Sequence, residues 1–347
     1  MAGADDRVDE NLQRRGAAPA SSRVRLAIIV VLGLALVAYL LTHIGLHAVL
    51  AAAASIGWRG FALLCALAFV VFAILGPAWY VLLPRTAHIS LGVMIWARMV
   101  RDAASESLPF SQVGGMVLGV RTASLSGMPA PLAVASMIVD VTTELIGQLL
   151  YVGLGLLLLL RRGAQSADAR LFERTGLIAL GLGTLGGICF LAIQRHGLSW
   201  VSGKLAGRVF PSSAAHVKGL AAHLREIHRS PLRIALSACI HFSGWVAAAV
   251  TTWIAFRLIG VHVGVGAVIA LESLVYAARS LAFFVPNALG VQEAAYTLLA
   301  PLVGIGKEYA LAVSLLRRAR DITIGIPILL VYQLCEGRRF MTRRAPG

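Results

Sequence analysis

Residues 283–296 read FFVPNALGVQEAAY and interrupt a long apolar part of the chain. Between Pro286 and Glu293 the stretch also holds Asn287, Gly290 and a glutamine. Irregular backbone at membrane depth is tolerated only where it is buried in protein or lines a cavity. We therefore predict that this segment forms a broken wall of a protein-lined cavity, with the Glu293 carboxylate facing that cavity.

The composition of the whole chain indicates a membrane setting. Of its 347 residues, 58% are hydrophobic and 14% are charged, whereas soluble domains are about 25% charged. Several apolar windows are long enough to cross a hydrocarbon core about 30 Å thick. We predict an all-α, polytopic integral membrane bundle of about seven or eight spans, with additional re-entrant or broken segments. Residues 23–338 form one membrane domain in this prediction, residues 1–22 a disordered N-terminus, and residues 339–347 a basic tail.

The formal net charge of +15 comes from lysines and arginines that gather in the loops. The positive-inside rule then places both termini in the cytoplasm, although the arginines of residues 161–176 oppose this orientation. Residues 195–232 alternate apolar and basic positions at helical spacing, which is typical of a helix lying on anionic phospholipid. An ordinary solvated helix is the alternative. No basic run carries aromatic stacking positions, so we expect no nucleic-acid partner.

Residues 88–128 differ from the flanking apolar segments, because they are too polar to span a membrane and too apolar for an ordinary loop. Pro109 interrupts this region, and Gly114, Gly115 and Gly119 follow it. We expect these four residues to break any continuous helix and to produce a re-entrant or interfacial segment.

Two parts of the chain, residues 88–160 and 263–336, share an order of features. Each has a proline-interrupted segment, then glycines, a short turn and a helix of about 30 residues. By the predicted topology the two long helices cross the membrane in opposite directions, so the halves form a possible inverted repeat. At an offset of 178 residues, three identical pairs align, namely Ser136 with Ser314, Ile146 with Ile324 and Gly147 with Gly325.

Charged residues inside the apolar segments are the candidate functional groups, because such charges are costly unless they are paired or hydrated. One hypothesis is that they form structural ion pairs, such as Asp140 or Glu144 with Arg317 or Arg320. The other is that they contact a substrate or an ion. We predict no catalytic residue, metal site or cofactor. The complete candidate set is Arg121, Asp140, Glu144, Glu272, Arg279, Pro286, Asn287, Gly290, Glu293, Arg317, Arg320 and Asp321.

Four motifs together resemble one family of membrane proteins. They are LPFSQVGGMVLGVR, SMIVDVTTELIGQLLY, AARSLAFFVPNALGVQEAAY and SLLRRARDITIGIP. The resemblance is to the hopanoid-biosynthesis-associated family, within the flippase-like group named for the transmembrane region of lysylphosphatidylglycerol synthase. It covers about residues 24–338. One departure is Asn287, which stands where many of the wider group have glycine, although asparagine also tolerates unusual backbone.

The resemblance implies a protein of the bacterial inner membrane that acts on lipids and lacks the aminoacyltransferase domain of some relatives. Our first hypothesis is therefore a non-enzymatic transporter or flippase for hopanoids or their precursors. The second is a lipid-tailoring enzyme with Asp140, Glu144 or Glu293 as acid or base. The third is a scaffold that holds hopanoid-biosynthesis proteins at the membrane through residues 195–232.

Overall fold

A computed structural model describes residues 46–107, 111–161, 214–282 and 285–344, together with a few isolated positions. Within these ranges the regular structure is helical, without strands. Several predictions lie outside the described residues. They concern the N-terminal residues 1–22, the spans at 26–42 and 177–194, the loop after residue 161, the first part of 195–232, and the last three residues.

The α-helices in chain order are α1 (Leu46–Ala54), α2 (Gly57–Tyr80), α3 (Leu91–Ser107), α4 (Ser111–Leu125), α5 (Ala130–Arg161), α6 (Ala214–His228), α7 (Pro231–Leu258), α8 (Val265–Leu281), α9 (Val291–Leu299) and α10 (Lys307–Arg344). Short 3-10 turns lie at Arg85–Ala87, Pro286–Ala288 and Ala300–Val303.

Helices α2, α5 and α7 are long and apolar enough to cross a membrane. Helix α5 confirms the predicted long apolar run, and α2 contains Pro77 near its C-terminal end, as expected. Helix α8 has 17 residues, a length of about 26 Å. Helix α10 is the second long helix of the prediction, but it carries charged residues through its first half.

Two sets of four helices, α2–α5 and α7–α10, follow the same order. Helices α3 and α8 each contain 17 residues. Helix α4 corresponds to α9 together with the 3-10 turn that follows it, and α5 corresponds to α10. The repeated order of elements therefore extends beyond the two regions that we compared in the sequence, because α2 and α7 belong to it as well.

Side-chain contacts show that the corresponding helices α2 and α7, α3 and α8, and α5 and α10 run in opposite directions. Gly60 lies against Leu258 while Gly244 lies against Leu75, so α2 and α7 are antiparallel. Gly76 of α2 lies against Ile95 of α3. Ala68, about two turns earlier on α2, belongs to the same core cluster as Ala103, near the C-terminus of α3. Helix α3 is therefore antiparallel to α2.

The same reasoning covers the other corresponding pairs. Helix α5 runs parallel to α7, because Thr143 bonds Ser237 at 2.8 Å and Tyr151 stacks on Trp245 further along both helices. Helix α8 runs antiparallel to α5. Gln148 bonds Ser280 near the C-terminus of α8, whereas Gly155, later on α5, lies against Ser273, earlier on α8. Helix α8 is thus antiparallel to α7 and opposite to α3.

Helix α10 completes the pattern. Arg320 lines the same cavity as Glu106, which lies next to the C-terminus of α3. Further along α10, Glu336 pairs with Arg121 of α4, which lies beside the N-terminal half of α3. Helix α10 is therefore antiparallel to α3 and runs opposite to α5.

Helices α3 and α4 form an antiparallel hairpin, which corrects one expectation about the glycines. Gly114, Gly115 and Gly119 lie inside continuous helix and do not break it. A Cβ added to Gly115 would lie 2.0 Å from the Ser105 hydroxyl and 2.5 Å from the Arg101 carbonyl oxygen. Small residues at this spacing allow membrane helices to approach closely. Helix α3 ends at Ser107 and α4 begins at Ser111, and the prediction about Pro109 lies outside the described residues.

Helix α6 is the described part of the basic stretch at 195–232. Its side chains Leu224 and Ile227 are buried against Leu82 and Val139. The apolar stripe of this helix therefore packs on protein, while Arg225 stays exposed.

Candidate functional site

A cavity of about 440 Å³ lies between the two sets of helices. Its walls come from α2, α3, α5, α7, α8, α10 and the break after α8. Part of the wall is apolar, with Phe72, Leu145 and Trp245. The polar part is lined by Arg98, Arg101, Asp102, Ser105, Glu106, Glu144, Gln148, Tyr276, Arg279, Ser280, Asn287, Arg317, Arg320 and Asp321.

An ion-pair network within the first set of helices borders the cavity. Arg98 and Arg101, one turn apart on α3, both reach the Glu144 carboxylate of α5, at 2.7 and 2.6 Å. Arg101 also contacts Asp140 at 2.8 Å, and Arg98 contacts Asp102 at 2.7 Å. Asp140 is completely buried, so these contacts compensate a carboxylate that has no access to solvent.

Asp140 also has a partner from the other set of helices. The Nε2 atom of His241 on α7 lies 3.0 Å from Oδ1 of Asp140. His241 is itself fully buried. This contact therefore links α5 to α7 at the back of the ion-pair network.

The second set of helices has an ion-pair network in which the long helix carries the arginine and the shorter helix carries the acid. Here the acid is on the shorter helix, since Glu272 belongs to α8, and Arg317 of α10 donates to it. Tyr296 of α9 donates to the same carboxylate, and Arg317 also donates to the Tyr276 hydroxyl at 2.7 Å. In the first set Arg98 and Arg101 are on the shorter helix, and the buried acid Asp140 and its neighbour Glu144 are on the long one.

The broken segment after α8 is held in left-handed backbone conformations. Asn287 and Ala288 have φ values of 49° and 45°, and Gly290 has φ 79°. Asparagine and glycine adopt this region more readily than other residues, which confirms the interpretation of Asn287. The Glu293 carboxylate accepts the Gly290 N–H at 2.9 Å and contacts Arg318 at 2.8 Å. Glu293 thereby fixes the start of α9 just after the break.

Residues next to the two interruptions of the chain meet at the cavity. Glu106, at the end of α3, pairs with Arg279 of α8 at 3.0 Å. The Asn287 side-chain amide also donates to the Glu106 carbonyl oxygen. The segments before both breaks, one from each set, are therefore joined at the cavity wall.

The predicted candidates fall into two groups. Those that line the cavity are Glu144, Arg279, Asn287, Arg317, Arg320 and Asp321. Five others, Arg121, Asp140, Glu272, Gly290 and Glu293, lie behind the wall or away from it. Asp140, Glu272 and Glu293 are fully buried partners of arginines, Gly290 precedes α9, Pro286 begins the 3-10 turn, and Arg121 pairs with Glu336 at a half-exposed position outside the lining.

Two expectations about these candidates need correction. The partners of Asp140 and Glu144 are Arg98 and Arg101, so the proposed pairs with Arg317 or Arg320 are not formed. The broken segment does form cavity wall, through its Asn287 side chain and neighbours. The Glu293 carboxylate, however, turns toward Gly290 and Arg318 instead of the cavity, because it accepts the N–H of Gly290, the residue before α9, and pairs with the Arg318 guanidinium.

Sequence reasoning missed four charged residues of the wall, which all lie on α3. They are Arg98, Arg101, Asp102 and Glu106. One signal for them was available, because Arg101 aligns with Arg279 at the offset of 178 that relates the two halves. The spacing of four between Arg98 and Asp102 was a second signal, since such positions are neighbours on a helix.

The site is polar but its charges are matched. Each of the five lining arginines lies within salt-bridge distance of a carboxylate. The arrangement can therefore hold a polar group in an apolar bundle at modest cost, because the charged groups are already compensated. Among the described residues, no group of three or more His, Cys, Asp or Glu side chains is arranged for a metal ion.

Comparison with known proteins gives one match. Residues 24–328 match the sequence model of the family described as "Lysylphosphatidylglycerol synthase TM region". Comparison with curated proteins and with solved structures gives no match. Because the matched region covers most of the chain, this multi-pass membrane protein belongs to the lysylphosphatidylglycerol synthase transmembrane-region family.

Proposed function

We propose that the protein is a flippase-like lipid transporter, in which the polar head of the lipid occupies the cavity and the apolar body follows the surrounding helices. The observation that carries this proposal is the ion-paired cavity between two oppositely directed sets of helices. Broken segments at corresponding places of two halves are the best sequence pointer to a transporter's binding site. We interpret α2–α5 and α7–α10 as such an inverted repeat.

The position of the two breaks supports this interpretation. Ser105 and Glu106 precede the first break, and Val285 and Asn287 belong to the second, yet all four residues line one cavity. Non-helical backbone at membrane depth requires protein or water around it. A cavity lined by residues that precede the first break and by residues of the second meets that requirement and gives a lipid head access to polar groups.

A hopanoid or a hopanoid precursor is the lipid that we propose, on the basis of the motif resemblance. The apolar walls around Phe72, Leu145 and Trp245 suit a large apolar body with a polar end. We propose the bacterial inner membrane as the location, with both termini in the cytoplasm, and anionic phospholipid as a contact of the basic region that includes Arg225.

We prefer a transporter to a lipid-tailoring enzyme because the candidate acids already have ion-pair and hydrogen-bond partners. Asp140 and Glu144 each contact two arginines, and Glu293 is engaged by Arg318 and a backbone N–H. A general acid or base must exchange a proton with its substrate. Carboxylates whose oxygens are already engaged by arginines and by a backbone N–H are poorly placed for that task.

The test is lipid movement in proteoliposomes that contain the purified protein. A fluorescent lipid in the outer leaflet is bleached by a membrane-impermeant reductant, and protein-dependent exchange between leaflets raises the bleached fraction. Ala248→Trp fills the cavity wall and should abolish the exchange. Leu236→Trp is the matched control, because this residue is on the same helix, is 48% exposed and does not line the cavity. Equal exchange with and without protein would contradict the proposal.

The lipid class is tested in cells. Mass spectrometry of separated inner and outer membranes, with and without the gene, should show hopanoids that are made but misplaced. An unchanged hopanoid distribution would contradict the proposal that hopanoids are the transported lipid. The proposal of lipid transport itself would then be decided by the proteoliposome assay.

A further inference from the structure

We propose that the cavity selects a lipid whose head group is hydroxylated and carries no net charge, and that it discriminates against anionic and cationic head groups. This inference rests on the proposed lipid transport and specifies its substrate class. Its basis is the pairing of the charges around the cavity together with the neutral polar groups between them.

The first step is that no lining arginine is left without a carboxylate. Arg279 pairs with Glu106, Arg320 with Asp321, and Arg317 with the buried Glu272. The two arginines of α3 share three carboxylates. A phosphate that entered this space would have to displace a carboxylate from its arginine, and the displaced carboxylate would then be uncompensated.

The second step is the same comparison for a cation. Each lining carboxylate, Asp102, Glu106, Glu144 and Asp321, is within salt-bridge distance of an arginine. An ammonium group would have to compete with guanidinium groups, and these hold Glu106 through both carboxylate oxygens and Glu144 from two arginines. The arrangement therefore penalises both signs of charge.

The third step concerns the hydrogen-bonding capacity that remains on the paired arginines and carboxylates. A guanidinium has five N–H donors and a carboxylate about four acceptor sites, so one ion pair leaves hydrogen-bonding capacity on both partners. Hydroxyl groups can use this capacity without separating the pair. The lining adds neutral partners of the same kind, including Gln148, which bonds Ser280 at 2.6 Å, and the Tyr276 hydroxyl.

The test compares three lipids with identical acyl chains bound to the purified full-length protein, measured by native mass spectrometry in competition. They are glucosyl-diacylglycerol, which is neutral and hydroxylated, phosphatidylglycerol, which is an anion, and lysyl-phosphatidylglycerol, which is a cation. We expect the neutral lipid to be retained about fivefold or more over either charged lipid. Equal or stronger retention of a charged lipid would overturn the proposal.

Two substitutions test the physical reason for this order. Glu106→Gln removes the carboxylate from Arg279, and Asp321→Asn removes it from Arg320 on another helix, so each should raise retention of phosphatidylglycerol about fivefold. Glu226→Gln is the control, because Glu226 is exposed on α6 and does not line the cavity. If neither cavity variant changes the order of the three lipids, charge pairing does not set the selectivity.

Failure of the underlying transport proposal gives a different result. In that case Ala248→Trp leaves retention of all three lipids unchanged, because none of them sits in the cavity. If Ala248→Trp removes binding and a charged lipid is nevertheless preferred, the cavity is the lipid site and the head-group proposal alone is wrong.

Discussion

The buried pair between Glu272 and Arg317 provides the sharpest prediction about stability. Glu272 is completely inaccessible and Arg317 is 5% exposed. Replacing Arg317 with Met leaves a buried carboxylate whose remaining donor is the Tyr296 hydroxyl. Removing one partner of a buried ion pair costs about 3–5 kcal/mol. We therefore expect Arg317→Met to lower the free energy of unfolding by about that amount.

Helix α10 offers a matched control three residues further on. Arg320 pairs with Asp321, whose side chain is 22% exposed, so water can compensate the carboxylate when the arginine is lost. Ion pairs with access to solvent contribute about 0–1 kcal/mol. Arg320→Met should therefore be much less costly than Arg317→Met, although the residue type, the helix and the substitution are the same.

A double variant separates lost packing from the uncompensated charge. Glu272→Gln in the Arg317→Met background keeps the shape of the side chain, removes the buried charge and still accepts from Tyr296. It should recover about 2–3 kcal/mol of the loss. The measurement is SDS titration in mixed micelles, followed by tryptophan fluorescence. The reasoning is refuted if Arg317→Met costs no more than Arg320→Met, or if the double variant is no more stable than the single one.

Three further predictions follow from close contacts and backbone geometry. Gly115→Ala should destabilise the α3–α4 hairpin by about 1–3 kcal/mol, because its Cβ would meet the facing helix at 2.0 Å, whereas Gly114→Ala, with nothing within 4 Å, should be neutral in the same SDS titration. Ala288→Gly should raise the free energy of unfolding by about 1 kcal/mol, since Ala288 has φ 45° and glycine adopts that region without strain. Glu293→Gln should reduce lipid exchange in proteoliposomes while leaving folding and insertion intact, because it weakens the contact with Arg318 that positions the broken segment; unchanged exchange would contradict this role.

The sequence predicted those parts of the fold that depend on local pattern. The apolar run at 131–160 is α5 within one residue at each end. The break at Pro286 and the tolerance of Asn287 for left-handed backbone were also predictable, because both follow from the chemistry of single residues. The order of elements in the two halves came from the same local features.

The identity of contacting partners could not be predicted in this way. Asp140 and Glu144 clearly required cations, but the sequence does not say whether these come from α3 or from α10, since both helices carry arginines at suitable depth. Glycines in an apolar helix raise the same difficulty. Gly115 was interpreted as a helix breaker because its role, close packing against Ser105, depends on a facing helix that local pattern does not reveal.

The distribution of ion pairs indicates which parts of the molecule are rigid. The carboxylates of Asp140, Glu272 and Glu293 are fully buried, and each has an arginine partner within its own set of helices. Pairs that bridge the two sets are more accessible, with side-chain exposures of 31% for Glu106 and 50% for Arg121.

This difference has an energetic consequence for transport. Breaking an accessible pair costs about 0–1 kcal/mol, whereas separating a buried pair leaves an uncompensated charge at about 3–5 kcal/mol. A movement of one set of helices against the other therefore keeps the costly pairs intact and breaks the inexpensive ones. The bond between His241 and Asp140 is a buried contact across the two sets, and it must either move with both partners or break. A displacement of one set of helices against the other thus has its lowest ion-pair cost along the boundary where the cavity lies.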